Sequence, residues 1–192
     1  MKSVLHITGL VLVTFLLCFN ETKAQSFQKE IPADYGYIVQ LGQTIPDFEI
    51  VLPDGTKTIM KALRGKVVML QFTASWCGVC RKEMPHIETE IWQKHKDNPN
   101  FALYGIDLKE EKEKVVEYQK QIGITYPLAL DLDGSIFYAI AEQNAGVTRN
   151  VIIDPNGKIV FMTRLFKEEE FEKMKKVISL LLAPSSLPKG EE

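Results

Sequence analysis

The sequence predicts an α/β domain, a central mixed sheet with helices on both faces. Three observations carry this. Two short apolar runs, KVVMLQF (66–72) and FALYGIDL (101–108), lack polar–apolar alternation, the pattern of strands buried on both faces. Helical spacing follows each run. Towards the C-terminus, TRNVIIDPNGKIVFMTRL reads as a hairpin. Strands that alternate with helices and close in a hairpin form such a sheet.

The elements come in order. GQTIPDFEIVLPDGTKTIMKAL is strand, turn, strand, an N-terminal β-hairpin turning at Pro53-Asp54-Gly55. KVVMLQF is a central strand. In RKEMPHIETEIWQKHK, Met84, Ile87, Ile91 and Trp92 fall at helical spacing, and Pro85 inside the helix should kink it. FALYGIDL is the second buried strand. KEEKEKVVEYQKQIG is a charged helix with Val115, Val116 and Tyr118 inward and Gly123 placed to end it. Its KEEKEK run is a solvated face, since Lys and Glu at this spacing pair locally in water. YPLALD is a short strand and GSIFYAIAEQN a short helix. Val151 to Ile153 and Ile159 to Met162 are the hairpin strands, turning at Pro155-Asn156-Gly157. KEEEFEKMKKVISLLL closes the domain as an amphipathic helix.

The chain opens MKSVLHITGLVLVTFLLCFNETKAQ. Lys2 is a positive n-region, Ile7 to Phe19 is almost wholly apolar, and Thr22 and Ala24 are small residues before a cut. This is the layout of a secretory signal peptide over residues 1–24. An uncleaved anchor is the alternative, but the run is short of the roughly 20 residues that span a bilayer. Cys18 lies within that run after Leu17, which is too bulky for a lipoprotein cut. Residues 25–41 form an N-terminal segment, 42–182 the domain, and 183–192 a polar tail expected to fray. The protein is thus expected outside the cytoplasm, as a monomer, with the membrane involved only through the signal segment. A net charge of −2 argues against nucleic acid as a partner.

Signal removal leaves two cysteines, Cys77 and Cys80, in FTASWCGVCRKEMP. They sit where a buried strand ends and a helix begins. The unpaired N–H groups there favour a thiolate at Cys77. Cys80, one turn in, would be more buried and could attack a mixed disulfide formed at Cys77. Zinc needs four ligands, and the mature chain adds only His86 and His95, so no metal is expected. Haem attachment wants a histidine where Arg81 stands. An inert staple would close too short a loop to stabilise much.

FTASWCGVCRKEMP, the opening GQTIPDFEI and the hairpin VIIDPNGKIV resemble the TlpA/ResA-like extracytoplasmic branch of the thioredoxin superfamily, over Gly42 to about Leu182. The resemblance implies a thioredoxin fold with a central αβ insertion, Phe101 to Leu130. It implies a thiol–disulfide oxidoreductase without cofactor, exchanging electrons with exported protein disulfides or thiols and fed by a membrane electron donor. Cys77 matches the nucleophile, Cys80 the resolving cysteine and Trp76 the flanking tryptophan. Pro85 matches the kink proline. Gln71 stands where thioredoxin has a buried aspartate. Glu83 matches the branch's glutamate and would shuttle the Cys80 proton, its alternative being a first-turn carboxylate favoured by the helix dipole. The family's cis-proline is replaced: GVTRN places Thr148 there after Val147, with a trans bond expected because a cis bond before a non-proline costs about 3–4 kcal/mol. Val147 and Thr148 would face substrate. Arg149 is either a stabiliser of the Cys77 thiolate, as an arginine is in peroxiredoxins, or a surface arginine. The pair Gly78-Val79 carries no cation, which favours a reductant. A peroxiredoxin-type peroxidase and a non-catalytic thioredoxin-like binding module are the alternatives.

Overall fold

The computed structural model describes residues 27–183. The expected signal peptide, with Cys18, and nearly all of the expected tail lie outside the described residues. Seven strands form one sheet: β1 (Glu49–Val51), β2 (Lys57–Ile59), β3 (Val67–Thr73), β4 (Phe101–Leu108), β5 (Leu128–Asp131), β6 (Arg149–Ile153) and β7 (Ile159–Arg164). Their order is β2-β1-β5-β4-β3-β6-β7. β3 lies inside, parallel to β4 and antiparallel to β6. Every residue of β3 is buried, which is why the run shows no alternation.

The helices are α1 (Gly78–Ile87), α2 (Gln93–His95), α3 (Lys112–Ile122), α4 (Ser135–Tyr138) and α5 (Glu168–Leu182). Alternating side chains of β3 show which face each covers. Thr73 Oγ1 meets Met84 of α1 and Tyr118 of α3, whereas the Phe72 ring packs edge-on against Phe137 of α4, 5.8 Å away. α5 joins the α1 face, where Phe171 meets His86. Helices therefore cover both faces of a mixed sheet, the thioredoxin fold. Segment 101–130 forms β4, α3 and β5, and β5 inserts between β1 and β4.

Three local expectations change. Pro85 lies within α1, but the helix then widens into a π turn over Glu88–Trp92 before α2. Proline lacks the amide hydrogen that would continue the ladder, and the wider turn absorbs the loss. Val116 is 45% exposed, while Val115 and Tyr118 are buried. Positions three or four apart share a helix face and adjacent ones do not, so Val116 falls beside the apolar stripe. β6 begins at Arg149, two residues before its apolar run.

Two glycines are dictated by geometry. Gly123 ends α3 at φ 75°, a left-handed cap. Gly105 lies in the buried strand β4, and a Cβ there would sit 2.5 Å from Leu128 Cδ1. Gly105→Ala is expected to lower stability by about 1–3 kcal/mol through overpacking, read as a lower urea midpoint. An unchanged midpoint would show that the β4–β5 contact can open.

Candidate active site

Cys77 and Cys80 are joined as a disulfide, with Cα atoms 5.3 Å apart. Cys77 is the N-cap of α1, and its Sγ accepts from the Cys80 N–H at 3.2 Å. The sulfur thus takes the place usually held by a capping oxygen and meets the partial positive charge of the helix start. Cys77 is 8% exposed and Cys80 is fully buried.

The preceding loop is pinned at Ser75. Its carbonyl accepts from Arg81 Nε at 2.7 Å, and its N–H and hydroxyl both donate to the Glu110 carboxylate. Trp76, next in the chain, is 66% exposed and flanks the pair as a free aromatic surface.

Glu83 lies one turn beyond Cys80 on the same side of α1 and is buried. Its Oε1 accepts from Asn150 Nδ2 at 2.7 Å, and that amide also donates to Thr163 Oγ1. Its Oε2 has no hydrogen-bond partner among the described residues. Burial raises the Glu83 pKa to about 8 against the opposing Asn150 bond. A carboxyl so placed holds its proton at neutral pH, unlike a solvated first-turn carboxylate.

The Val147–Thr148 bond is trans, since no cis peptide occurs among the described residues. Val147 and Thr148 are both buried. Thr148 Oγ1 lies 3.1 Å from Cys77 Sγ and 3.2 Å from Cys80 Sγ. In the sequence Thr148 registers only as a missing proline, and nothing there points to this hydroxyl contact.

Arg149 stands elsewhere than either expectation put it. It is fully buried, so it is not a surface arginine. It pairs with Phe72, and both side chains leave the sheet on the α4 face. The guanidinium lies 4.5 Å from the Tyr37 ring centroid and 5.3 Å from that of Phe137. Its Nε and Nη2 donate to the Gly146 carbonyl at 3.1 and 2.7 Å. The charge is thus spent on two aromatic faces and a carbonyl across the sheet from α1, and it anchors the loop that carries Thr148.

Two further polar residues are not evident from the sequence. Asn150 fixes Glu83 through the hydrogen bond that its Nδ2 donates to Oε1. Asp107 lies buried on β4, opposite Thr73, with a pKa raised to about 8 by burial and then by the nearby Glu110 charge. Asp107 interrupts an apolar strand, the one signal that could have flagged it, whereas Asn150 precedes the apolar run of its strand. Gln71 is also buried, its Nε2 donating to the Phe72 carbonyl.

A redox-capable cysteine pair at a helix start, beside the central strand of a thioredoxin fold, defines a thioredoxin-like thiol–disulfide oxidoreductase. Comparison with known proteins agrees. The chain belongs to the Redoxin family, whose model matches residues 40–178, and within the thioredoxin superfamily it is TlpA/ResA-like. It is 32% identical to the thiol-disulfide oxidoreductase ResA of Bacillus anthracis, over 64% of this chain and 68% of that one. A candidate protein disulfide isomerase from Bacteroides thetaiotaomicron is 58% identical with TM-score 0.75, over 77% of this chain and 93% of that one. A candidate thiol:disulfide interchange protein DsbE from Chlorobium tepidum is 26% identical with TM-score 0.64, covering 74% and 98%.

The raised Glu83 pKa has a consequence for stability. In the unfolded chain this carboxyl ionises near 4.3. Below that pH both states hold the proton and the contribution is fully present. It is lost as pH rises towards about 8, because the unfolded chain sheds a proton that the native state keeps. Chemical denaturation of the oxidised protein between pH 5 and 8 is expected to show stability falling with pH, and less steeply in Glu83→Gln. Parallel curves would show that Glu83 is solvated.

Proposed function

We propose that the protein is an exported reductant of protein disulfides, cycling Cys77 and Cys80 between dithiol and disulfide. One observation carries the direction. Among the described residues, the donors that reach Cys77 Sγ are a backbone N–H and a threonine hydroxyl, both neutral, while Arg149 of the neighbouring strand is turned to the other face of the sheet. A thiolate without a cation is less stabilised, so its dithiol form gives up electrons more readily. The same placement removes the arginine on which a peroxidase reading would draw.

In this reading Cys77 attacks a substrate disulfide, and Cys80 then resolves the mixed disulfide. Glu83 takes the Cys80 proton as Cys80 attacks. The disulfide state is the product of that transfer, and in it Glu83 is the group that favours holding a proton. Asn150 aims the carboxyl. Trp76 and the Val147–Thr148 loop border the pair and receive the substrate chain.

Export is supported by the sequence of residues 1–24 and by the absence of cysteines other than the pair from residues 25–192. Residues 42–182 form the working domain and 183–192 its tail. Outside the cytoplasm such a reductant needs a supply of electrons across the membrane, so a membrane electron donor is its partner. The substrates are exported proteins with disulfides to open, and the protein acts as a monomer.

Cys80→Ser is expected to trap mixed disulfides with substrate proteins, and Cys77→Ser to trap none, read on non-reducing gels. The wild-type pair should also be more reducing than glutathione at equilibrium. Equal trapping by both variants would overturn the order of attack, and a pair more oxidising than glutathione would overturn the direction.

A further inference from the structure

We propose that the Thr148 hydroxyl is a catalytic hydrogen-bond donor that serves both sulfurs in turn and sets the ionisation of Cys77. The inference deepens the exchange activity proposed for this site and rests on it.

Thr148 Oγ1 is nearly equidistant from the two sulfurs, at 3.1 and 3.2 Å. A hydroxyl has one hydrogen to donate and a free rotor. It can therefore serve one sulfur at a time and track the charge from one to the other. A disulfide sulfur is a weak acceptor, whereas a thiolate receives a charge-assisted bond. Thr148 is only 3% exposed, and a buried bond of this kind is strengthened by the low local dielectric. The hydroxyl thus stabilises the reduced, ionised pair more than the oxidised one.

Its placement is built from both sides. The Thr148 carbonyl accepts from the Leu165 N–H at 3.0 Å, which ties the loop to the end of β7. Leu165 itself sits at φ 62°, an uncommon backbone for a branched residue. On the other side, Arg149 holds the Gly146 carbonyl with two N–H groups. Arg149 is therefore a positioning residue that acts through the loop.

The exchange balances in two steps. The Cys77 thiolate, hydrogen-bonded to Thr148, attacks one sulfur of the substrate disulfide. A Cys77–substrate bond forms, the substrate S–S bond breaks, and the second substrate sulfur leaves as a thiolate. Cys80 then gives its proton to Glu83, which enters this step as the carboxylate and leaves it as the carboxylic acid that the disulfide state favours, and the new Cys80 thiolate receives the Thr148 hydrogen bond. It attacks Cys77 Sγ, and the first substrate sulfur leaves as a thiolate. Two electrons have passed from the enzyme dithiol to the substrate disulfide, and Thr148 has kept its proton throughout.

Thr148→Val keeps the branched shape without the hydroxyl, and Thr148→Ser keeps the hydroxyl. The pH profile of Cys77 alkylation is measured in a Cys80→Ser background, and the pair's equilibrium with glutathione with both cysteines present. Thr148→Val is expected to raise the Cys77 pKa by about one unit, the scale of one charge-assisted bond. At pH 9 the glutathione equilibrium should move about tenfold towards the disulfide form, about 30 mV for a two-electron couple. At pH 5.5, where the thiols hold their protons, the two proteins should agree. Thr148→Ser should lie within about twofold of wild type. Thr148→Ala must show the same shift as Thr148→Val, and a shift in only one of them would assign the effect to packing and overturn the proposal. Wild-type profiles in both hydroxyl-free variants would overturn it too, while leaving the exchange activity standing. A wild-type protein that fails to exchange with glutathione would instead overturn the functional reading beneath it.

Discussion

The antiparallel pairing of β6 with β3 is the constraint on which the site depends. Phe72 opposite Arg149 and Gln71 opposite Asn150 set a register that leaves little freedom elsewhere. The cysteines follow β3 after the short loop 74–76, and Thr148 lies directly before β6, so the pairing brings them to the same end of the sheet. A slip of one residue would exchange the faces of β6. Asn150 would then leave Glu83, and Arg149 would be driven under α1. The strand pair thus determines which polar groups meet the sulfurs and which are kept from them.

That register also separates charges that would conflict. On the α1 face the site holds neutral donors and a carboxyl that favours its proton. On the α4 face it holds a permanent cation against aromatic rings. In the disulfide state burial favours the protonated form of Glu83, and burial cannot neutralise an arginine, whose charge must be solvated by rings and carbonyls instead. Each group sits where its chemistry is tolerated, and the sheet between them is the insulator.

Much of this is legible in the sequence. The run from Phe101 to Leu108 names its own strand because a strand buried on both faces has no solvent side to mark with polar residues. The cysteine pair is legible because its position after such a strand and before a helix is itself the chemical argument. The features that stay hidden depend on partners distant in the chain. Glu83 is matched to a proton shuttle by resemblance, but its own residue context also allows a solvated first-turn acid, and Asn150, 67 residues on, is the partner that the sequence does not reveal. Arg149 comes directly after Thr148 in the chain, yet alternation along the strand sends it to the other side of the sheet. Thr148 is marked in the sequence by the proline it replaces, a backbone property. Its hydroxyl acquires meaning only when the loop's path is known. Val116 shows the limit of counting apolar residues, since it lies beside the buried stripe of Val115 and Tyr118 and stays exposed.

The depth at which Arg149 is held bears on how such a site ages. The residues that frame the pair, Arg149, Asn150 and Thr163, are nearly or wholly inaccessible, and none of them is a ready target for oxidants. Met84, a thioether on the same helix as Cys80, is fully buried between Thr73 and Tyr118. Among these residues chemical wear therefore falls first on Cys77 and on the exposed ring of Trp76. Reversible oxidation at Cys77 is undone by thiol exchange, while the buried residues that give the sulfur its geometry are shielded.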